Sequence, residues 1–182
     1  MLNKRFSFPL MLLLAIVQLA IAARMIYAEE HVLREGKVFW FKTAPVDPSD
    51  PFRGKYINLN FDANHIAVPA AAHYERGNEV YVTVAETDSG FCKILALSQQ
   101  RPSGSDYILA TVSFVSLENN QRVVYIDYPF SRYYMNEFKA MDAEKAYADG
   151  RNSYAVVRVW NGRAVLEAVV INGQHAEKLI RK

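Results

Sequence analysis

The sequence predicts an α+β fold that is mainly antiparallel β: an N-terminal transmembrane helix, then a β-rich domain with one late helix and a C-terminal β-hairpin. Three observations carry this. Phe6 to Ala23 contains only Ser7, Pro9 and Gln18 outside the hydrophobic set. Short runs rich in β-branched and aromatic residues then recur between turn signals, the pattern of antiparallel strands. Near the C-terminus, Asn161-Gly162 divides two such runs, and Asn-Gly accepts the two positive φ angles of a type I′ hairpin turn.

The apolar segment comes first. Its 18 residues span about 27 Å as a helix, close to the hydrocarbon thickness of a bilayer. Met25, Ile26 and Tyr27 extend it, with Arg24 snorkelling to the interface. A cleaved secretory signal is the competing reading, because Ala20-Ile21-Ala22 fits a small-x-small processing site. The apolar core is longer than a signal peptide's, which favours an uncleaved anchor. Lys4 and Arg5 favour a cytoplasmic N-terminus, although Arg24, Arg34 and Lys37 beyond the other end blunt the asymmetry. The expected division is therefore residues 1–28 as signal-anchor, 29–36 as a polar connector and 37–182 as an extracytoplasmic β-rich domain.

Charge narrows the partners. The chain carries +2 overall, and Lys4 and Arg5 supply that excess, so the part after the apolar segment is neutral. A neutral domain lacks the basic surface that a phosphate backbone requires, which excludes nucleic acid as a partner. The lone cysteine, Cys92, cannot form an intramolecular disulfide, and its place in Phe91 to Leu95 reads as a buried, inert thiol in a strand.

Along the domain, Lys37 to Thr43 reads as a strand. Pro45-Val46-Asp47-Pro48-Ser49-Asp50-Pro51 holds three prolines in seven residues, which excludes helix. Tyr56 to Phe61 alternates, with Ile57, Leu59 and Phe61 on one face, as a half-buried strand does. Val80 to Ala85, Phe91 to Leu97, Tyr107 to Val115 and Val123 to Asp127 are further strands, separated by stretches such as Asp88-Ser89-Gly90 and Arg101-Pro102-Ser103-Gly104. Asn136 to Ala148 is the late helix, capped by Asn136, built from good helix formers and stopped by Gly150. Tyr154 to Trp160 and Arg163 to Ile171 form the hairpin. A second Asn-Gly, Asn172-Gly173, turns the chain again into Gln174 to Leu179.

From Ala44 to Phe61 the sequence is APVDPSDPFRGKYINLNF, and here it resembles the GDYXXLXY family of bacterial membrane-anchored proteins. The resemblance extends to the basic start, the spanning helix, the PVDP-type segment, the β-rich body and the Gly-containing hairpin. Gly54, Tyr56 and Leu59 fall on the motif; Lys55 stands where the family has Asp, and Phe61 where it has its last Tyr. What the resemblance implies is a membrane location and an accessory role beside a polytopic membrane protein, with no assigned reaction. Any role that needs a carboxylate at position 55 is lost in this chain. Read physically, Gly54 permits a close backbone approach at strand entry, and Tyr56 buries a ring while keeping a polar partner for its hydroxyl. A structural corner is the plain reading of this segment. A binding surface built from Pro45, Asp47, Pro48, Asp50, Arg53, Gly54, Tyr56 and Leu59 is the sharper one.

Catalytic signatures are scarce. The sequence contains no Walker loop, GxGxxG, HExxH, CxxC or GxSxG. His31, His65, His73 and His175 include no pair at the i, i+4 spacing of a helical metal site, so neither metal nor cofactor is expected. Arg53-Gly54-Lys55-Tyr56-Ile57 is similar to the RGD-bearing strand of membrane-anchored Ser/Lys peptidases, but no Ser-Met-x-Pro precedes it. Tyr125, Tyr128, Phe130, Tyr133 and Tyr134 form an aromatic run with Arg132 inside it. Core packing is one reading; a partner or glycan patch of Tyr128, Arg132, Tyr133 and Tyr134 is the other. The functional expectation is a non-catalytic accessory protein, single-pass in the bacterial cytoplasmic membrane, with its C-terminal domain in the periplasm or outside. The alternatives are a membrane-anchored hydrolase using Asp47, Asp50, Arg53 and Lys55, and a glycan-binding module.

Overall fold

The structure, a computed structural model, describes residues 4–44, 56–69, 72–104, 106–118, 121–134 and 152–176. A long apolar helix leads into two antiparallel five-stranded sheets that share one core.

Helix α1 runs Lys4–Glu35, 32 residues without a break. It therefore continues through the polar stretch that sequence reading makes a connector. Ala28 to Glu35 is composed largely of good helix formers, and Glu30 pairs with Arg34 one turn on at 3.6 Å. The pair is exposed and supplies only a few tenths of a kcal/mol. Tertiary contact does more: Val32 is 1% exposed, packed against the domain. The helix stops at Gly36, whose N–H donates to the Val32 carbonyl at 2.8 Å. Only glycine fits there, since a Cβ would lie 2.4 Å from that carbonyl oxygen.

The strands in chain order are β1 (Lys37–Ala44), β2 (Tyr56–Asn58), β3 (Asn60–Phe61), β4 (His65–Val68), β5 (Glu79–Glu86), β6 (Cys92–Ser98), β7 (Tyr107–Glu118), β8 (Gln121–Asp127), β9 (Arg132–Tyr134), β10 (Ser153–Trp160), β11 (Arg163–Ile171) and β12 (Gln174–His175). One sheet has the order β12-β11-β10-β1-β3 and the other β4-β8-β7-β5-β6, while β2 and β9 form a separate ribbon. Among the described residues every pair of these strands runs antiparallel. Period-2 burial is clean where it sets register: Val80, Val82 and Val84 in β5 and Ala155, Val157 and Val159 in β10 all face inward. Bulges at Thr83/Val84, Val112/Phe114 and Val156/Val157 bend the sheets over the core. Phe39 and Phe41 of β1 meet Ile108, Val112, Val124 and Ile126 of the second sheet in that core.

The C-terminal hairpin forms as expected. Asn161 and Gly162 have φ of 49° and 84°, and Asn172 and Gly173 repeat this with 50° and 80°. Two features differ from expectation. Tyr56 to Phe61 is not one strand: β2 pairs with β9 and β3 with β1, and the break falls at Leu59, whose N–H turns to the Ser131 carbonyl at 2.8 Å. The late helix expected at Asn136 to Ala148 lies outside the described residues, and α1 is the only α-helix among those described.

Candidate functional site

The family-type motif sits at a corner where the chain passes between sheets. Tyr56 opposes Tyr134 in the β2–β9 ribbon, Ile57 opposes Tyr133 and Asn58 opposes Arg132. Leu59 and Phe61 turn inward and are buried, and Asn60 between them is exposed. The Asn60 side-chain oxygen accepts from its neighbour's backbone, Phe61 N–H, at 3.1 Å and from Asn64 Nδ2 at 2.9 Å, which holds the turn into β4. Pro45, Asp47, Pro48, Asp50, Arg53, Gly54 and Lys55 lie outside the described residues. The motif side chains within the description are Leu59 and Phe61, both inward, and the exposed Asn60 between them.

The aromatic run mostly enters the core. Phe41, Phe61, Tyr128 and Phe130 form a mutual cluster with ring centroids 5.0–6.0 Å apart. Tyr128 is 4% exposed and its hydroxyl donates to the Ala63 carbonyl at 2.7 Å; burial pushes its phenol well above the ordinary range. Tyr133 is 9% exposed. These two rings thus belong to the interior rather than to a surface patch. Arg132 is exposed, and the side chain of Tyr134 lies outside the description. Small β domains need large rings to bury sufficient area, and that requirement wins here.

An exposed aromatic group does exist, one strand away. Tyr125 of β8 lies between Phe114 of β7 and His65 of β4, stacked at 4.2 Å and 5.3 Å on the outer face of the second sheet. Tyr125 is the direct cross-strand partner of both, so register assembles them. The Tyr125 hydroxyl and Ser116 Oγ both donate to Glu118, at 2.8 Å and 2.7 Å, which lowers the Glu118 pKa and raises that of Tyr125. Sequence reading missed this stack because the bulge after Val112 moves Phe114 out of simple alternation.

The junction between helix and domain is the other built feature. Arg158 of β10 donates to Glu167 of β11 at 2.7 Å and to the Gly36 carbonyl at 3.3 Å, so one guanidinium ties the helix terminus to both hairpin strands. Lys37 pairs with Asp106 beside it, linking the start of β1 to the entrance of β7. His31 meets Trp160 edge-on at 5.8 Å and stacks with Tyr27 at 6.3 Å. A groove of about 260 Å³ separates Ala28 and Val32 from the hairpin tip at Gly162 to Val165.

Reactive groups are few. Cys92 is buried, and desolvation pushes its thiol up to about 12, so it stays protonated and inert at neutral pH. His31, His65, His73 and His175 are all exposed. Among the described residues, no three of His, Cys, Asp or Glu come together to hold a metal ion.

No curated protein and no solved structure gives a match to this chain. The motif corner, the apolar helix and the β-rich body are joined by a match to a family model described as GDYXXLXY protein over residues 18–169, and the chain belongs to that family.

Proposed function

We propose that this GDYXXLXY protein is an uncleaved, single-pass accessory protein of the bacterial cytoplasmic membrane, holding a non-catalytic β domain on the periplasmic or outer side. The observation that supports it most is the continuity of α1. An 18-residue window of α1 has a mean hydropathy of 2.1 with none of its residues buried, and the same helix then docks on the domain through Val32 and Gly36. Hydrocarbon-exposed side chains of this number need a lipid or protein environment. The domain is thereby fixed in height and orientation over the bilayer, where it meets the extramembrane parts of its neighbours.

The partner in this reading is a polytopic membrane protein, and the Phe114–Tyr125–His65 stack is the surface presented to it. Phe114 is 49% exposed, and aromatic residues are enriched at protein interfaces. The test is in-cell photo-crosslinking of the full chain with a photoreactive residue at position 114, against position 93 on the edge strand as control. One recurring membrane-protein adduct from position 114 alone is expected. Recovery of only the monomer from both positions, and again on co-purification in mild detergent, would contradict the reading.

A further inference from the structure

We propose that the tip of the β10–β11 hairpin is a second membrane contact, with Trp160 and Arg163 seated in the lipid headgroup layer beside the anchor. The inference rests on α1 being retained in the bilayer, and it fixes how the domain sits there.

From Phe6 to Tyr27 the helix rises about 33 Å, enough to fill the hydrocarbon, so the boundary lies near Tyr27. Beyond it the headgroup layer is about 5–8 Å deep, the next four or five residues of helix. Those residues are where the domain touches α1. Ala28 and Val32 face Gly162 and Ala164 of the tip, together with Leu109 and Pro129, across the 260 Å³ groove. On a neighbouring face, His31 bridges Tyr27 to Trp160. The tip therefore reaches down to within a turn of the hydrocarbon boundary.

Its chemistry suits that depth. Trp160 keeps 37% of its surface exposed and Tyr27 73%, and Trp and Tyr are the side chains that concentrate at bilayer interfaces. Arg163 opposes Trp160 across the turn and is exposed, a cation placed for lipid phosphates, as is Arg24 on the helix. Leu109 and Pro129 add exposed apolar surface on the same side. The tip is held rigidly: the Leu109 N–H donates to the Gly162 carbonyl at 2.8 Å, and Gly162 packs on the Tyr107 ring. Trp40, the other tryptophan, stands on β1 opposite Val156, farther from the helix, and leans on Tyr154 at 5.4 Å.

Two tryptophans make the test direct. Full-length protein is reconstituted into phosphatidylcholine–phosphatidylglycerol vesicles carrying a nitroxide in the headgroup region. The variants are Trp40→Phe, which leaves Trp160 as sole reporter, and Trp160→Phe, which leaves Trp40. Emission from Trp160 is expected to fall at least about two-fold, as for an interfacial aromatic, with Trp40 emission unchanged. Unquenched Trp160 in protein that floats with the vesicles overturns the inference and leaves the anchor reading standing. Failure to float overturns both. A spin label at position 163 (Arg163→Cys on a Cys92→Ala background) repeats the depth measurement without touching either tryptophan, and a reading at bulk-water accessibility would likewise overturn the inference.

Discussion

Gly162 and Gly173 occupy the same place in two consecutive Asn-Gly turns, with φ of 84° and 80°. Their surroundings differ. A Cβ on Gly173 meets nothing within 4 Å, whereas one on Gly162 lies 2.7 Å from Tyr107 Cε2. Substituting alanine at each position separates backbone strain from packing. The strain of a left-handed alanine is about 1–2 kcal/mol, offset in part by the lower entropy of the unfolded chain, so Gly173→Ala costs about 1 kcal/mol. Gly162→Ala carries the same strain plus an overpacking cost of about 1–3 kcal/mol. The Tyr107 ring cannot move aside easily, because it is buried against Tyr81 at 5.6 Å with Arg101 over it at 5.7 Å. In a domain of this size, about 2–4 °C of Tm corresponds to 1 kcal/mol. Thermal melts in detergent followed by near-ultraviolet circular dichroism then give a shift of about 2–4 °C for Gly173→Ala and about 5–15 °C for Gly162→Ala. Equal shifts would refute the docking of the hairpin tip on β7, and with it the rigid placement of Trp160.

Three further outcomes follow from buried groups. Tyr128→Phe removes the donor to the Ala63 carbonyl and destabilises the domain by about 1–2 kcal/mol in urea unfolding; no change would mean that water satisfies that carbonyl. Val32→Ala removes two buried methyl groups, about 1–2 kcal/mol, and opens the Ala28 to Gly36 stretch to tryptic cleavage at Arg34; unchanged protection would mean that the helix is held by other contacts. Cys92 holds its proton to about pH 12 when folded, against an ordinary value of 9.0, so the folded state binds more protons between those limits. Its contribution is complete below pH 9 and is lost as pH rises through that window. The native protein should therefore resist iodoacetamide at pH 8, and Cys92→Ala should show a shallower alkaline loss of stability than the parent.

Local patterns were legible where one physical rule acted alone. Eighteen residues with three polar interruptions gave the helix, β-branched and aromatic runs between turn signals gave β5 and β10, and Asn-Gly gave both hairpin turns with their positive φ angles. Elements set by distant contacts were not legible. The connector at 29–36 reads as polar, yet Val32 finds a buried site and Gly36 a close approach to Val159, over a hundred residues away. Leu59 splits an apparently continuous strand because Ser131 offers it a carbonyl from another segment. β4 and β9 are only four and three residues long, and they exist as partners of β8 and β2 rather than from their own propensity. The same limit applies to candidate sites. Tyr128 and Tyr133 look alike in sequence to any exposed aromatic run, and only the rings of Phe41 and Phe61 show Tyr128 to be interior. The Phe114–Tyr125–His65 stack depends on a bulge that no local signal marks.

In the proposed reading α1 remains attached as a continuous membrane helix entering the domain. Intact-mass measurement on protein extracted from carbonate-washed membranes tests it most directly. The full 182-residue chain, near 20.7 kDa, is expected in the membrane pellet. A shorter species beginning near Ala23, released into the soluble fraction, would contradict it.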